Sequence, residues 1–337
     1  MRTFFVTGVA GFIGYWVAKR LLARGDRVVG LDNLNAYYDV SLKAARLGQL
    51  RAFDDSGHFE WIHGDLMDSA CLESIFERHI FDGVIHLAAQ AGVRHSLSHP
   101  QAYVDSNVTG FLNVLERVRQ RPVHLVYASS SSVYGGLKEL PYGESQNVDR
   151  PVSLYAATKR ANELMAHTYS HLFQIPATGL RFFTVYGPWG RPDMAYFKFV
   201  KSILEGDPIE IYNEGNMQRD FTYIDDIVNG VLEVMDRPPV TKSADQHFAF
   251  DVLPAHRILN IGNHQPVQLT EFVSIIEQAV GRKAEKIYRP MQPGDVPATY
   301  AETSALQELT GFAPNTPLIE GVKRFVDWYR SFYGLSS

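Results

Sequence analysis

Five residues of strand character, Thr3-Phe4-Phe5-Val6-Thr7, run directly into Gly8-Val9-Ala10-Gly11-Phe12-Ile13-Gly14, and helical spacing follows over 13–24. A strand, a glycine turn and a helix in that order open a βαβ unit whose turn can cradle a phosphate. Gly8 permits the tight exit from the strand, Gly11 lets backbone approach a pyrophosphate, and Gly14 lets the helix pack on the sheet. The helix N-terminus, with Phe12 and Ile13 in its first turn, then faces the anion. The spacing is Gly-x-x-Gly-x-x-Gly rather than the commoner Gly-x-Gly-x-x-Gly. A second strand over 27–31 ends at Asp32, close to where an acid about 20 residues on accepts ribose hydroxyls. A carboxylate there repels a 2′-phosphate, which favours NAD over NADP. Glycines alone are compatible with an ordinary turn, and Asp32 alone with a plain strand end; the ordered combination is what points to a dinucleotide.

The alternation continues down the chain. Apolar and β-branched runs predict further strands at 60–63, 83–88, 123–129 and 178–183, separated by helical spacing at 71–79, 102–119 and 154–173. Strands joined through helices imply right-handed crossovers into a parallel sheet. The expected fold is α/β, a doubly wound parallel sheet forming a Rossmann-type NAD-binding domain over 1–183, with a smaller α/β C-terminal substrate domain over 184–337. In the second part, loops rich in Pro and Gly separate helices at 195–205, 224–236, 269–280 and 319–333, and the segment 224–262 is expected to return to the first domain. Asp65-Leu66 after the third strand and Ala88 after the fourth stand where adenine and the nicotinamide-side ribose would pass, although a Gly-Asp turn and small sheet residues also occur without a ligand.

Composition excludes several classes. A chain of 337 residues with 45% hydrophobic content can bury a large core, so a disordered reading fails. With 32 basic against 37 acidic residues the net charge is −5, which provides no field for nucleic acid or an anionic membrane. No apolar run approaches the roughly 20 residues of a membrane helix. Cys71 is the single cysteine, and the N-terminal residues read as a strand rather than a signal peptide, so the chain reads as cytoplasmic. His247, His256 and His264 lack metal-ligand spacing and read as surface or structural; no metal is expected.

Tyr155-Ala156-Ala157-Thr158-Lys159 puts a phenol and an ammonium on one helix face. A nearby Lys⁺ and a positive nicotinamide ring favour the phenolate, bringing tyrosine toward the range where it accepts a proton from an alcohol. Ser129-Ser130-Ser131-Ser132-Val133-Tyr134-Gly135 ends the fifth strand and supplies hydroxyls at the C-terminal edge of the sheet, where Ser130 can hold the oxygen that Tyr155 deprotonates. Tyr-x-x-x-Lys alone is common in helices and a serine run is often a turn; it is their joint occurrence after the glycine turn that carries weight.

These residues resemble the extended short-chain dehydrogenase/reductase family, and later segments resemble its UDP-glucuronate 4-epimerases. The resemblance spans almost the whole chain and includes Leu31-Asp32-Asn33-Leu34-Asn35-Ala36-Tyr37-Tyr38-Asp39, Leu87-Ala88-Ala89-Gln90-Ala91-Gly92-Val93-Arg94 and Arg181-Phe182-Phe183-Thr184-Val185-Tyr186-Gly187-Pro188-Trp189-Gly190-Arg191-Pro192-Asp193-Met194-Ala195. It implies a catalytic set of Ser130, Tyr155 and Lys159, with the lysine also holding the nicotinamide ribose. It further implies that Arg191, Arg219 and Asp295 meet the phosphates and ribose of UDP and that Tyr212 stacks on uracil, although each arginine taken alone reads as a surface salt-bridge partner. The implied activity interconverts UDP-glucuronate and UDP-galacturonate by transient oxidation at C4, a 4-keto intermediate and hydride return to the opposite face, in the service of polysaccharide biosynthesis.

Relatives that decarboxylate the keto intermediate or eliminate water carry a Glu, or an Asp-Glu pair, in the three positions before Val-Tyr-Gly; here they are Ser130, Ser131 and Ser132. Ser131, Ser132 and Thr184 are neutral hydroxyls suited to grip a sugar carboxylate. Thr184 also stands where UDP-galactose 4-epimerases usually have Asn, though a strand-end threonine satisfied by backbone is the plain alternative. A UDP-galactose 4-epimerase, a UDP-glucuronate decarboxylase, an ordinary reductase and a non-catalytic NAD-dependent regulator remain competing readings. The broadly apolar segments 102–119 and 154–173 match the pair that forms a four-helix homodimer interface in similar proteins.

Overall fold

A computed structural model describes residues 1–243 and 252–335; His247 lies outside them. In chain order the strands are β1 (Thr3–Thr7), β2 (Arg27–Asp32), β3 (Phe59–His63), β4 (Gly83–His86), β5 (His124–Ala128), β6 (Ala177–Phe182), β7 (Thr184–Tyr186), β8 (Ile209–Tyr212), β9 (Gln218–Tyr223), β10 (Lys242–Ser243), β11 (Val252–Leu253), β12 (His256–Ile261), β13 (Pro266–Gln268) and β14 (Lys286–Arg289). The helices are α1 (Phe12–Ala23), α2 (Val40–Phe53), α3 (Ser69–Arg78), α4 (His95–Ser98), α5 (Pro100–Tyr103), α6 (Gly110–Val118), α7 (Leu154–Phe173), α8 (Ala195–Glu205), α9 (Ile224–Met235), α10 (Leu269–Val280), α11 (Ser304–Thr310) and α12 (Leu318–Tyr333).

Seven strands form one parallel sheet in the order β12-β6-β5-β4-β1-β2-β3. The chain runs outward from β1 to β3 and then crosses back to β4. The strand order therefore reverses between β1 and β4, and a crevice opens beyond their C-terminal ends. Alternation along β1 shows why the sheet is buried on both faces: Phe4 and Val6 join one core with Ile227 and Val231 of α9, whereas Phe5 joins another with Phe111 and Val114 of α6. Each such side chain removed from water contributes roughly 1.5–3 kcal/mol. α9 is fixed to this first layer by Arg20 donating to Asn229 at 2.9 Å and by the His124 ring against the Met235 carbonyl at 3.0 Å. β12 extends the sheet by pairing with β6, from Ala177 opposite His256 to Phe182 opposite Ile261. The remaining strands form a three-stranded sheet, β13-β9-β7, and two-stranded pairs β10-β11 and β14-β8.

Three expectations need correction. The fourth strand stops at His86, before Leu87 and Ala88, which leaves those backbones at the crevice floor. The helix expected over 102–119 is interrupted by a π-helical segment, Val104–Thr109. Its physical cause is Asn107, which turns inward to accept from the Gln90 amide at 2.8 Å and to donate to the Gln90 carbonyl at 3.0 Å and to Thr158 at 3.1 Å. Satisfying a buried amide in this way widens the turn. Finally, α2 occupies a stretch where no helix is expected; Asp39 caps it, accepting from the Ser41 amide at 2.8 Å.

Candidate active site

A cavity of about 430 Å³ follows the crevice and extends toward the C-terminal sheets. Its dinucleotide end is built by the first turn. Gly8 has φ +72° and lies so close to the fourth strand's exit that a Cβ would come within 2.8 Å of the Ala88 nitrogen; one on Gly14 would come within 2.1 Å of the Gly8 oxygen. Gly11 is the N-cap of α1 and no side chain caps that terminus, so the first-turn amides are left to an anion. Asp32 is buried at the end of β2, where its carboxylate accepts from the Ala10 amide at 3.0 Å and the Leu34 amide at 2.9 Å. Those bonds fix both oxygens while leaving lone pairs for ribose hydroxyls. Asp65 is bonded to the Asn33 amide group at 2.7 Å, and Leu66 lines the same end. Donors, shape and acid together fit NAD.

The catalytic candidates stand where β5 meets α7. Ser153 caps α7, accepting from the Ala156 amide at 3.1 Å, and so starts the helix that carries Tyr155 and Lys159 into the cavity. Ser130 begins a 3-10 turn; its Oγ accepts from the Ser132 amide at 3.2 Å and from the Ser132 hydroxyl at 2.7 Å. Burial outweighs the other influences and leaves the Tyr155 phenol above its ordinary range, although a hydrogen bond with its Ser130 neighbour and the charge of Arg191 act to lower it. Lys159 is 2% exposed, and burial lowers its ammonium to about 8. Its Nζ donates to the Ala128 carbonyl at 2.9 Å. The Ser129 hydroxyl, by contrast, is spent on Glu163, to which it donates at 2.6 Å.

Ser131, Ser132, Thr184, Arg191, Arg219 and Asp295 line the other part of the cavity. Arg191 donates from Nε to Asp193 at 3.0 Å, and Tyr37 donates to the same carboxylate at 3.2 Å. Arg219 gives its Nη1 to the Gln218 and Pro297 carbonyls at 2.8 and 3.2 Å rather than to an acid. Tyr212 is the one site residue of the sequence reading that does not line the cavity. It stands at the mouth beneath the Arg94 guanidinium, 4.4 Å from its ring centre, and Arg94 pairs with Asp295 at 2.7 Å.

Sequence reasoning missed Arg94, Asp193, Glu163 and Asn107. Glu163 had a readable signal: it lies one turn beyond Lys159, and Arg181 is a charge inside an otherwise buried strand. Such an arginine demands a partner, and it donates to Glu163 at 2.8 and 2.9 Å. His256 contacts the Tyr127 hydroxyl at 3.0 Å and His264 the Ala301 carbonyl at 2.9 Å. Among the described residues no group of metal-ligating side chains gathers, and no helix is long and apolar enough to cross a membrane.

The sequence matches the NAD dependent epimerase/dehydratase family over residues 4–250. It is 49% identical to the "Probable UDP-glucuronate 4-epimerase" of Rhizobium meliloti (strain 1021), covering 98% of this chain and 97% of that protein. It is 47% identical to UDP-glucuronate 4-epimerase 1 of Arabidopsis thaliana, covering 98% of this chain and 77% of the other. The fold superposes on UDP-glucuronic acid 4-epimerase from Bacillus cereus, solved with UDP-glucuronic acid and NAD, with a TM-score of 0.86, 30% identity and coverage of 98% and 100%. A glycine turn, a strand-end acid, and a serine, tyrosine and lysine converging on one cleft are thus joined to full-length likeness: the chain belongs to the NAD dependent epimerase/dehydratase family.

Proposed function

We propose that the protein is an NAD-dependent UDP-glucuronate 4-epimerase, and the observation that carries the reading is the neutral wall of Ser130, Ser131, Ser132 and Thr184 in the same cavity as Tyr155 and Lys159. Residues 1–183 hold NAD and 184–337 the nucleotide sugar, with 224–262 returning to the first part. The turn from Gly8 to Gly14, with Phe12 and Ile13 at the helix start, receives the pyrophosphate. Asp32 receives the adenosine ribose, Asp65 and Leu66 flank the adenine, and Ala88 borders the nicotinamide-side ribose, which Lys159 also holds. NAD, when bound, supplies first the acceptor and then the donor of the C4 hydrogen.

Everything else falls to side chains. Tyr155 takes the proton of the 4-hydroxyl and gives it back, Ser130 holds that oxygen, and the charge of Lys159 favours the phenolate. Arg191 and Arg219 neutralise the diphosphate, Asp295 accepts from the ribose, and Tyr212 stacks on uracil once Arg94 moves aside. Ser131, Ser132 and Thr184 grip the sugar carboxylate and hold its C–C bond out of line with the 4-keto π system, so that CO₂ is retained. No carboxylate occupies the three positions before Val133, which disfavours decarboxylation and dehydration. The single cysteine accords with a reducing, cytoplasmic setting, and a UDP-galacturonate product suits polysaccharide synthesis.

The deciding experiment incubates purified protein with C4-deuterated UDP-glucuronate and no added cofactor. UDP-galacturonate retaining its deuterium is expected by NMR; loss of the label to solvent, release of CO₂ as the main outcome, or no conversion by NAD-loaded protein overturns the reading. Within it, Ser131→Ala or Thr184→Ala raises the ratio of CO₂ to epimer. Unchanged partitioning in both variants refutes the grip.

A further inference from the structure

Arg46 of α2 is fully buried, and each of its five N–H donors reaches an oxygen. Nη1 donates to the Ala10 carbonyl at 2.8 Å and to the Tyr38 hydroxyl at 2.7 Å. Nε and Nη2 donate to the Trp189 carbonyl at 3.2 and 2.7 Å, and Nη2 also reaches the Gly190 carbonyl at 3.1 Å. Among the described residues no carboxylate pairs with it. A charge withdrawn from water onto neutral acceptors alone is costly. Apart from the Tyr38 hydroxyl, those acceptors are carbonyls on two pieces of backbone far apart in sequence: the glycine turn after β1 and the turn immediately before Arg191.

The second turn is strained. Trp189 has φ +62°, a left-handed region that bulky side chains rarely enter. Arg46 holds its carbonyl, Trp16 donates to the Pro188 carbonyl at 2.9 Å, and the Trp189 ring packs against Tyr15 and Trp328. The next residue is equally confined, since a Cβ on Gly190 would come within 2.0 Å of the Tyr196 hydroxyl oxygen. Arg191 follows directly and enters the cleft.

We propose that Arg46 is a positioning residue for the diphosphate of the nucleotide sugar: by tying the 187–190 turn to the glycine turn from α2, it sets the direction in which Arg191 enters the cleft. This rests on the reading that Arg191 meets the diphosphate. Lysine at position 46 keeps the charge but has a single point of three donors, which cannot span acceptors that a planar fork reaches together. The turn then relaxes from its strained conformation and Arg191 loses its aim. A displacement on the order of 1 Å is enough to cost ten- to a hundredfold.

A double-mutant cycle on NAD-loaded protein tests this, with Arg46→Lys and Arg191→Ala made singly and together, UDP affinity read by calorimetry and turnover of UDP-glucuronate alongside. Arg46→Lys is expected to weaken UDP about tenfold and raise KM while kcat changes less than about threefold, and to add nothing in the Arg191→Ala background. If Arg191→Ala leaves UDP affinity unchanged, the reading of Arg191 fails. If Arg191→Ala weakens UDP but Arg46→Lys does not, or weakens it equally in both backgrounds, Arg46 does not act through Arg191 and the proposal falls alone. A lower Tm without a change in UDP affinity marks a purely structural role and counts against it equally. Should Arg46→Lys fail to fold, Tyr38→Phe, which deletes one of the five contacts, enters the same cycle with a smaller expected loss and the same criteria.

Discussion

Burial pushes the Lys159 ammonium down to about 8, with the Ala128 carbonyl accepting from its Nζ at 2.9 Å. An unfolded lysine titrates near 10.5, so between roughly pH 8 and 10.5 the unfolded chain binds more protons than the folded one and stability rises with pH. Below pH 8 the residue destabilises the fold by its full amount, on the order of 3 kcal/mol at about 1.4 kcal/mol per pH unit. Lys159→Met forfeits the Ala128 contact, worth about 1 kcal/mol, yet should still raise the Tm of NAD-free protein at pH 7 by a few degrees. The advantage should vanish by about pH 10.5 while epimerisation is abolished; a variant less stable than the parent at pH 7 contradicts this account. The neighbouring phenol follows the opposite logic. Burial raises Tyr155 and the Ser130 contact lowers it, so Ser130→Ala should move the acidic, rising limb of the pH–rate profile to higher pH and reduce kcat at neutral pH by about 10²-fold or more. An unshifted limb would show that Ser130 does not tune the base.

Three elements meet at Glu163. The residue is 1% exposed on α7, accepts from Ser129 at the end of β5 at 2.6 Å, and is held by Arg181 of β6 at 2.8 and 2.9 Å. Burial alone would raise its carboxyl, but Arg181 and Ser129 outweigh burial and hold it below the ordinary range. Its stabilising contribution is therefore present above the unfolded pKa and is lost as pH falls through the folded one. Glu163→Gln strands the Arg181 charge and should cost roughly 3 kcal/mol in denaturant melts at pH 7. The gap to the parent should narrow in acid below about pH 4; a gap that stays constant with pH argues against the ion pair as its source. Such junctions explain what was and was not legible in the chain. Tyr155 and Lys159 are readable because one helical period fixes their shared face, and Asp32 because a strand end fixes its place. Arg46 with Trp189 and Asn107 with Gln90 are joined only by crossovers, which no local period encodes, whereas Glu163 and Arg181 each carry a local signal and only their pairing depends on a crossover. The π-helical break at Val104–Thr109 is unreadable for the same reason: its cause is the Gln90 backbone that accepts Asn107, contributed by a different element. Tyr212 was placed by resemblance alone, and its position at the mouth rather than the wall reflects Arg94 lying over its ring.

At the scale of the whole molecule, the surface opposite the sheet presents apolar groups that the monomer leaves in water. Leu164 and Leu172 on α7 are 53% and 61% exposed, and Val104 and Leu112 on the neighbouring π-helical segment and α6 are each 38% exposed. The two elements lie side by side, with Tyr169 donating to Glu116 and the Arg119 guanidinium 5.1 Å from the Phe173 ring centre. Two parallel helices, running side by side from Asn107 near Thr158 to Glu116 near Tyr169, form half of a four-helix bundle, and a two-fold axis through their exposed face would let each leucine meet its symmetry mate's surface. A stable pair of this kind buries about 1,600 Å² in total, which a face two helices wide can supply. We therefore expect the protein to sediment as a dimer at micromolar concentration and Leu112→Glu with Leu164→Glu to sediment as a monomer, because a carboxylate forced into an apolar interface without a partner costs several kcal/mol per protomer. Sedimentation of the parent as a monomer, or of the double variant as a dimer, would place the contact elsewhere. The same helices end at the catalytic side: α7 carries Tyr155 and Lys159 in its first turns, and the π-helical segment offers Ser106 to the cavity wall. Dimer formation would then brace the elements that hold the base, so the monomeric variant should show faster amide exchange in the first turns of α7 than the parent, measured at equal NAD occupancy.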